Sequence, residues 1–100
     1  YPPYYRLIKI IIKSRDSQTL LIASNWLFKS LSNGFVYPIY GPFEPPVSRI
    51  KNEFIKQILI KYPNTSVRSK IKTHLMKSIE SFETIAKFRV VKLNVDIDPN

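Results

Sequence analysis

Apolar positions along the chain recur every second residue, then every third or fourth, and the two periods alternate in a regular order. Residues 6–13, RLIKIIIK, are rich in β-branched side chains, and Ile8, Ile10 and Ile12 share one face of a strand. Asp16 and Ser17 offer N-caps to a helix reaching about Leu31, with a stripe of Leu20, Ala23, Leu27 and Leu31 flanked by Trp26 and Phe28. Asn33-Gly34 ends that helix with a residue free to take positive φ. FVYPIY, residues 35–40, reads as a short strand that Pro38 confines to an edge, because proline cannot donate to a ladder. A proline-rich loop follows, then a strand at about 54–62. Pro63-Asn64-Thr65-Ser66 breaks that strand and caps a second helix, about 66–82, striped by Val67, Ile71, Leu75, Ile79 and Phe82. A last strand, FRVVKLNVDI at 88–97, sets Val91, Leu93, Val95 and Ile97 on one face.

The order β-α-β-β-α-β predicts an α+β, ferredoxin-like sandwich: a four-stranded antiparallel sheet with two helices on one face. Right-handed crossovers place the first and third strands at the centre, which leaves the Pro38 strand at an edge. At 100 residues the chain is expected to be one domain, with no repeat, linker or low-complexity tract, and 44% apolar residues suffice for a core.

Composition narrows the function classes. The absence of cysteine excludes disulfides and thiolate metal sites and fits a reducing, intracellular setting, and one histidine leaves little material for zinc. No apolar run approaches the ~20 residues that cross a bilayer. The chain begins at Tyr1 with nothing resembling a signal peptide, so a fragment of a longer protein is expected. A net charge of +9 favours an anionic partner: nucleic acid, an acidic peptide tail or an anionic membrane surface. The plain alternative is a basic surface that serves only solubility.

Catalytic chemistry finds no support, since phosphate-loop, dinucleotide and zinc-protease motifs are all missing. Asp96 and Asp98 share a strand face but lack a third acid nearby, and read better as surface residues than as a Mg²⁺ pair. His74, beside the apolar stripe of the second helix, reads as a partly exposed helix residue, and Trp26 as packing. The sheet face turned from the helices is more informative. Leu7, Lys9, Ile11 and Lys13 point there from the first strand, with Phe88, Val90, Lys92 and Asn94 from the last, and Lys56 or Lys61 joining from the third. Lysines mixed with an aromatic on an open sheet suit single-stranded nucleic acid, and equally docking against another domain. The start of the second helix carries Ser66 as a cap with Arg68, Lys70 and Lys72 close behind. Cations there oppose the helix dipole, and with free backbone N–H groups they form a candidate anion site.

Three ordered stretches, YPPYYRLIKIIIKS, GPFEPPVSRIKNEFIKQILIK and LNVDIDPN, resemble the C-terminal domain of primosomal protein N′ (PriA), the replication restart helicase family. The family pattern runs Y-P-P-[FY], then G-P-x-x-x-P-x-x-R with an aromatic and a glutamine in the next strand, then D-[VI]-D-P, and it spans the chain. The resemblance implies a non-catalytic fragment of an ATP-dependent 3′–5′ DNA helicase, cytoplasmic and not membrane-bound. The parent's motor and zinc-binding motifs lie elsewhere, so no cofactor is expected in this stretch. It implies a fold similar to a ribosomal small-subunit protein. The implied partners are forked or single-stranded DNA, the remainder of the helicase and the acidic tail of single-stranded-DNA-binding protein. The residues expected to hold nucleic acid are Arg49, Lys51, Lys56, Lys9 and Lys92, and those bordering the acidic tail are Ser66, Arg68 and Lys70. Where many relatives flank the aromatic after the loop with arginines, this chain has Glu53 and Ile55 around Phe54. A stiff proline loop could hold Arg49 and Lys51 in place for a phosphate, or pack as an elbow on the parent. The alternative function is a docking domain with little DNA affinity of its own.

Overall fold

The computed structural model describes residues 5–34, 36–46, 49–63 and 68–97. The elements are β1 (Tyr5–Ser14), α1 (Ser17–Ser32), β2 (Ile39–Phe43), β3 (Arg49–Ile50), β4 (Glu53–Pro63), α2 (Arg68–Glu83), a 3-10 turn (Ala86–Phe88) and β5 (Lys92–Ile97). The sheet runs β2-β4-β1-β5 with every pairing antiparallel, and β3 hangs from β4 as a short hairpin. The predicted β-α-β-β-α-β sandwich is therefore present, with the two longest strands at its centre.

Strand alternation makes the core. Ile8, Ile10 and Ile12 of β1 lie beside Ile58, Ile60 and Tyr62 of β4, all at most 1% exposed. They meet Leu20, Ala23, Leu27 and Leu31 of α1 and Ile71, Leu75 and Phe82 of α2. Each buried isoleucine or leucine contributes roughly 1.5–3 kcal/mol. Where the helices approach each other, Ser30 Oγ donates to Ser78 Oγ at 3.2 Å, which pairs two otherwise desolvated hydroxyls.

Helix α1 starts as the sequence requires, but it stops without the positive φ expected at Asn33-Gly34: Asn33 keeps a helical φ of −69°, and Gly41 is the positive-φ glycine among the described residues. The Asp16 carboxylate accepts from the Gln18 N–H at 3.1 Å and from the Thr19 hydroxyl at 2.7 Å. At the other end Gly34 N–H donates to the Leu31 carbonyl at 3.2 Å. A Cβ on Gly34 would overlap the His74 ring of α2, so any larger residue there must displace that ring.

Two elements differ from the prediction. The second strand is 39–43 rather than 35–40. Phe35 lies outside the described residues, and Val36 and Tyr37 form a bend. Pro38 precedes the strand, with its carbonyl accepting from Lys61 N–H at 3.0 Å. The proline inside the edge strand is Pro42, after a cis Gly41-Pro42 peptide, and the register shifts between Tyr40 and Phe43.

The last strand begins at Lys92, not Phe88. Phe88 sits in the 3-10 turn at 3% exposure, stacked on Phe82 at 5.0 Å and edge-on to Trp26 at 6.2 Å. Aromatic packing wins over strand alternation here, because one ring buries more area than a surface strand position returns. Phe88 is consequently removed from the outer sheet face, and Val90 lies in the following turn instead of the strand. Helix α2 is seen from Arg68, and its expected Ser66 cap and Val67 stripe position lie outside the described residues.

Candidate nucleic-acid interface on the open sheet face

Both helices pack on one side of the sheet, so the odd-numbered residues of β1 and β4 build the other. Antiparallel partners directly opposite one another share a face, which lets the surface be read row by row. One row runs Tyr40, Leu59, Lys9 and Asp96 from β2 to β5, and the next holds Phe43, Gln57, Ile11 and Asn94. A third carries Ile55, Lys13 and Lys92, and at the opposite end Lys61 lies beside Leu7. Rows two residues apart are about 7 Å from each other and neighbouring strands about 4.8 Å apart. Lys9 and Lys13 are thus about 13 Å apart along β1.

Several of these side chains are already engaged. Lys61 Nζ sits over the Tyr5 ring, 4.7 Å from its centroid. Lys92 Nζ pairs with Glu53 Oε2 at 3.3 Å while staying 73% exposed. That pairing accommodates Glu53 beside Phe54: its carboxylate reaches across the end of β1 to a lysine of β5. Lys13 stands directly opposite Lys92, a like-charge neighbour that an anion would relieve. Among the described residues, four lysines on this face outnumber two carboxylates, Glu53 and Asp96.

Apolar side chains lie between the charges. Leu7 and Tyr40 are 45% and 49% exposed, whereas Ile55 is enclosed at 5% although it belongs to the outer face.

The predicted residues do not all gather here. Lys9 and Lys92 do. Lys56 does not, because it stands opposite the buried Ile12 and so points to the helix side. There it pairs with Glu44 at 3.5 Å, in a shallow cleft with Ser17, Gln18 and Leu21. Of the two lysines the sequence left open for this face, Lys61 is the one that lies on it.

Lys51 is exposed at the tip of the β3–β4 hairpin, where it and Asn52 have φ of 51° and 67°. Two positive φ values in a two-residue loop are the mark of a type I′ turn. Arg49 begins β3 opposite Phe54; its side chain lies outside the described part of the structure.

The second candidate group sits on the helix layer, across the sheet from Lys9. Lys70 is exposed, and with Ser69, Thr73, His74 and Lys77 it lines a shallow cleft along α2. His74 Nε2 donates to the Leu31 carbonyl at 3.3 Å, so this ring closes the carboxyl end of α1. Ser66 lies outside the described residues, and of Arg68 only the backbone, opening α2, is described. Helix α2 carries no acid in its first turn and no base in its last. Its lysines precede its glutamates, and both ends therefore oppose the macrodipole.

Remaining candidates read as structural. Trp26 is a packing residue, tilted against Phe82 at 5.8 Å. Asp96 lies on the outer face opposite Lys9, and Asp98 falls outside the described residues. Among the described residues no cluster of three metal-ligating side chains occurs, and no helix is long and apolar enough to cross a membrane. Sequence reasoning missed Tyr5, Tyr40 and Phe43 on the open face. The signal for Tyr40 was its distance from the central strands, readable only once β2 is known to start at Ile39.

Residues 1–100 match the family model for the primosomal protein N C-terminal domain. A curated relative, the replication restart protein PriA of Bacillus subtilis (strain 168), is 26% identical over 101 residues. That alignment takes in 99% of this chain and 12% of the relative, so the chain spans about an eighth of that protein's length. Among solved structures, the designed protein Foldit4 superposes with a TM-score of 0.62 at 6% identity, covering 96% of this chain and 98% of its own. An amidase of the hydantoinase/carbamoylase family from Burkholderia ambifaria gives 0.55 at 7% identity, over 94% of this chain and 27% of that one. These two likenesses concern the fold alone.

Proposed function

The chain belongs to the family of primosomal protein N C-terminal domains, and on that premise we propose that it is the non-catalytic accessory domain of a replication restart protein, holding single-stranded or forked DNA on its open sheet face. One observation carries this reading: the register places Lys9, Lys13, Lys61 and Lys92 on one uncovered face with the rings of Tyr5 and Tyr40. Lysines meet backbone phosphates, and exposed rings offer stacking worth about 1–3 kcal/mol per base. Contacts of this kind position a strand without reading its sequence. The hairpin tip adds the exposed Lys51 at one end of the sheet. On this reading the ATP-driven motor and the zinc site belong to the remainder of a larger cytoplasmic helicase. The basic first half of α2, around Arg68 and Lys70, receives the acidic tail of a single-stranded-DNA-binding protein.

A docking role has its own support. Leu7, Ile11 and Leu59 form an apolar patch between the lysines, of the kind that meets another domain. The two readings separate in a binding experiment. Fluorescence anisotropy with labelled single-stranded, forked and duplex DNA across a salt series is expected to show preference for the first two. Log K is expected to fall steeply with log salt. Lys9→Glu and Tyr40→Ala should each weaken binding about ten-fold. Undetectable binding at low salt, or binding indifferent to both substitutions, would leave the docking role.

A further inference from the structure

The two edges of the sheet are built differently. Strand β2 carries Pro42 and a register shift, features that blunt an edge against pairing with another chain. Strand β5 has neither: its register with β1 is continuous over Lys92–Ile97, and it contains no proline. Among the described residues β5 pairs with β1 alone. Its core-side residues Leu93 and Val95 remain only partly covered, and a cleft of about 380 Å³ lined by Phe82, Glu83, Phe88, Arg89, Val91 and Leu93 opens alongside.

We infer that β5 pairs with β5 of a second copy of this chain, antiparallel, about a two-fold axis through Asn94. The order Lys92-Leu93-Asn94-Val95-Asp96 is self-complementary in that register. Lys92 of each copy faces Asp96 of the other on the outer side, so the axis generates two cross-strand ion pairs. Leu93 faces Val95 on the helix side, again twice, and Asn94 meets its own equivalent. A slip of two residues loses the Lys92–Asp96 pairs; in one direction it brings Lys92 opposite Asp98 instead, and the Asp96 variants below tell that register from this one. A slip of one sets Lys92 against Ile97 and turns the two helix layers to opposite sides. Lys92 stays available because its pairing with Glu53 leaves it 73% exposed. Two copies joined this way form one continuous eight-stranded sheet whose open faces adjoin. The pairing does not depend on nucleic-acid binding, since its determinants are the edge and its own charges.

Sedimentation equilibrium of the chain from micromolar to millimolar concentration tests this. The mass is expected to rise from 11.7 kDa toward twice that value. Lys92→Asp and Asp96→Lys each turn two attractions into repulsions and should weaken association roughly thirty-fold. The double swap should return it to within about three-fold of the original. Asp96→Asn, a milder change, should weaken it by less than the reversal does. Trp26 fluorescence and circular dichroism report that each variant is folded. A monomer at every concentration would sink the proposal and leave the edge to a different partner. A dimer that neither reversal weakens, or that the double swap fails to restore, overturns it as well.

Discussion

Tyr62 ends the β4 side of the core with its ring 1% exposed and its hydroxyl buried without a hydrogen-bond partner among the described residues. A desolvated, unmatched hydroxyl is a standing cost, whereas the ring is a gain. Tyr62→Phe is therefore expected to raise unfolding free energy by about 1 kcal/mol, read from the urea midpoint at unchanged slope. Asp16 shows the opposite economy. Its carboxyl is held below the ordinary aspartate range, first by the Thr19 hydroxyl and then by the Gln18 N–H, with burial opposing weakly. A lowered folded value means the charged cap stabilises fully above the unfolded value of about 3.9, and the benefit fades as pH falls through the folded one. Asp16→Asn keeps an acceptor without the charge. The stability gap between parent and variant should therefore be largest near neutrality and shrink on acidification below about pH 4. Single residues were unevenly legible. The Asp16 cap followed from its position before an apolar stripe. The choice between Lys56 and Lys61 did not, because β4 carries apolar residues in both phases: Ile58 and Ile60 face the helices, Ile55 and Leu59 the open side.

At the scale of elements, the β3–β4 hairpin places a lysine where asparagine or glycine is favoured. A side chain at φ 51° crowds its own carbonyl, and only glycine or a short polar residue adopts that region readily. Lys51→Asn is expected to raise stability by roughly 0.5–1 kcal/mol in thermal unfolding. It should also lower DNA affinity if the tip meets phosphate. The hairpin was not foreseen, since its strand is two residues long and its Lys51-Asn52 loop lacks the usual glycine. The 3-10 turn escaped for another reason. FRVV alternates as a strand would, but Phe88 gains more from Phe82 and Trp26 than from a place on the sheet. Long periodic elements such as β1, α1 and α2 were readable because their neighbours add to one signal; short connecting elements are decided by tertiary contacts.

For the whole molecule, strand order followed from connection handedness and from one edge proline, although the proline in the strand proved to be Pro42. The sheet stands between the two basic surfaces, with Lys9 on the open face and Lys70 on the helix layer. Groups separated by a packed core act independently. Lys9→Glu should thus weaken DNA binding and leave an acidic peptide's affinity within about two-fold, while Lys70→Glu does the reverse. Combining them should give the sum of the separate free-energy changes, measured by anisotropy with each ligand in turn. Lys70→Glu should also raise stability by a few tenths of a kcal/mol, since it replaces a cation near the amino end of α2. The two surfaces were legible as separate stretches of sequence. Their placement on opposite layers was not, because it depends on how α2 packs.

The His74 ring lies over Gly34 and holds the Leu31 carbonyl. That contact joins two positions forty residues apart into one unit of inheritance. A methyl group at position 34 displaces the ring and forfeits its hydrogen bond, so alanine is expected to cost stability there while the histidine is present and little once it is gone. Across descendants of this sequence the two sites are expected to change together and in a fixed order, the ring first and the glycine afterwards.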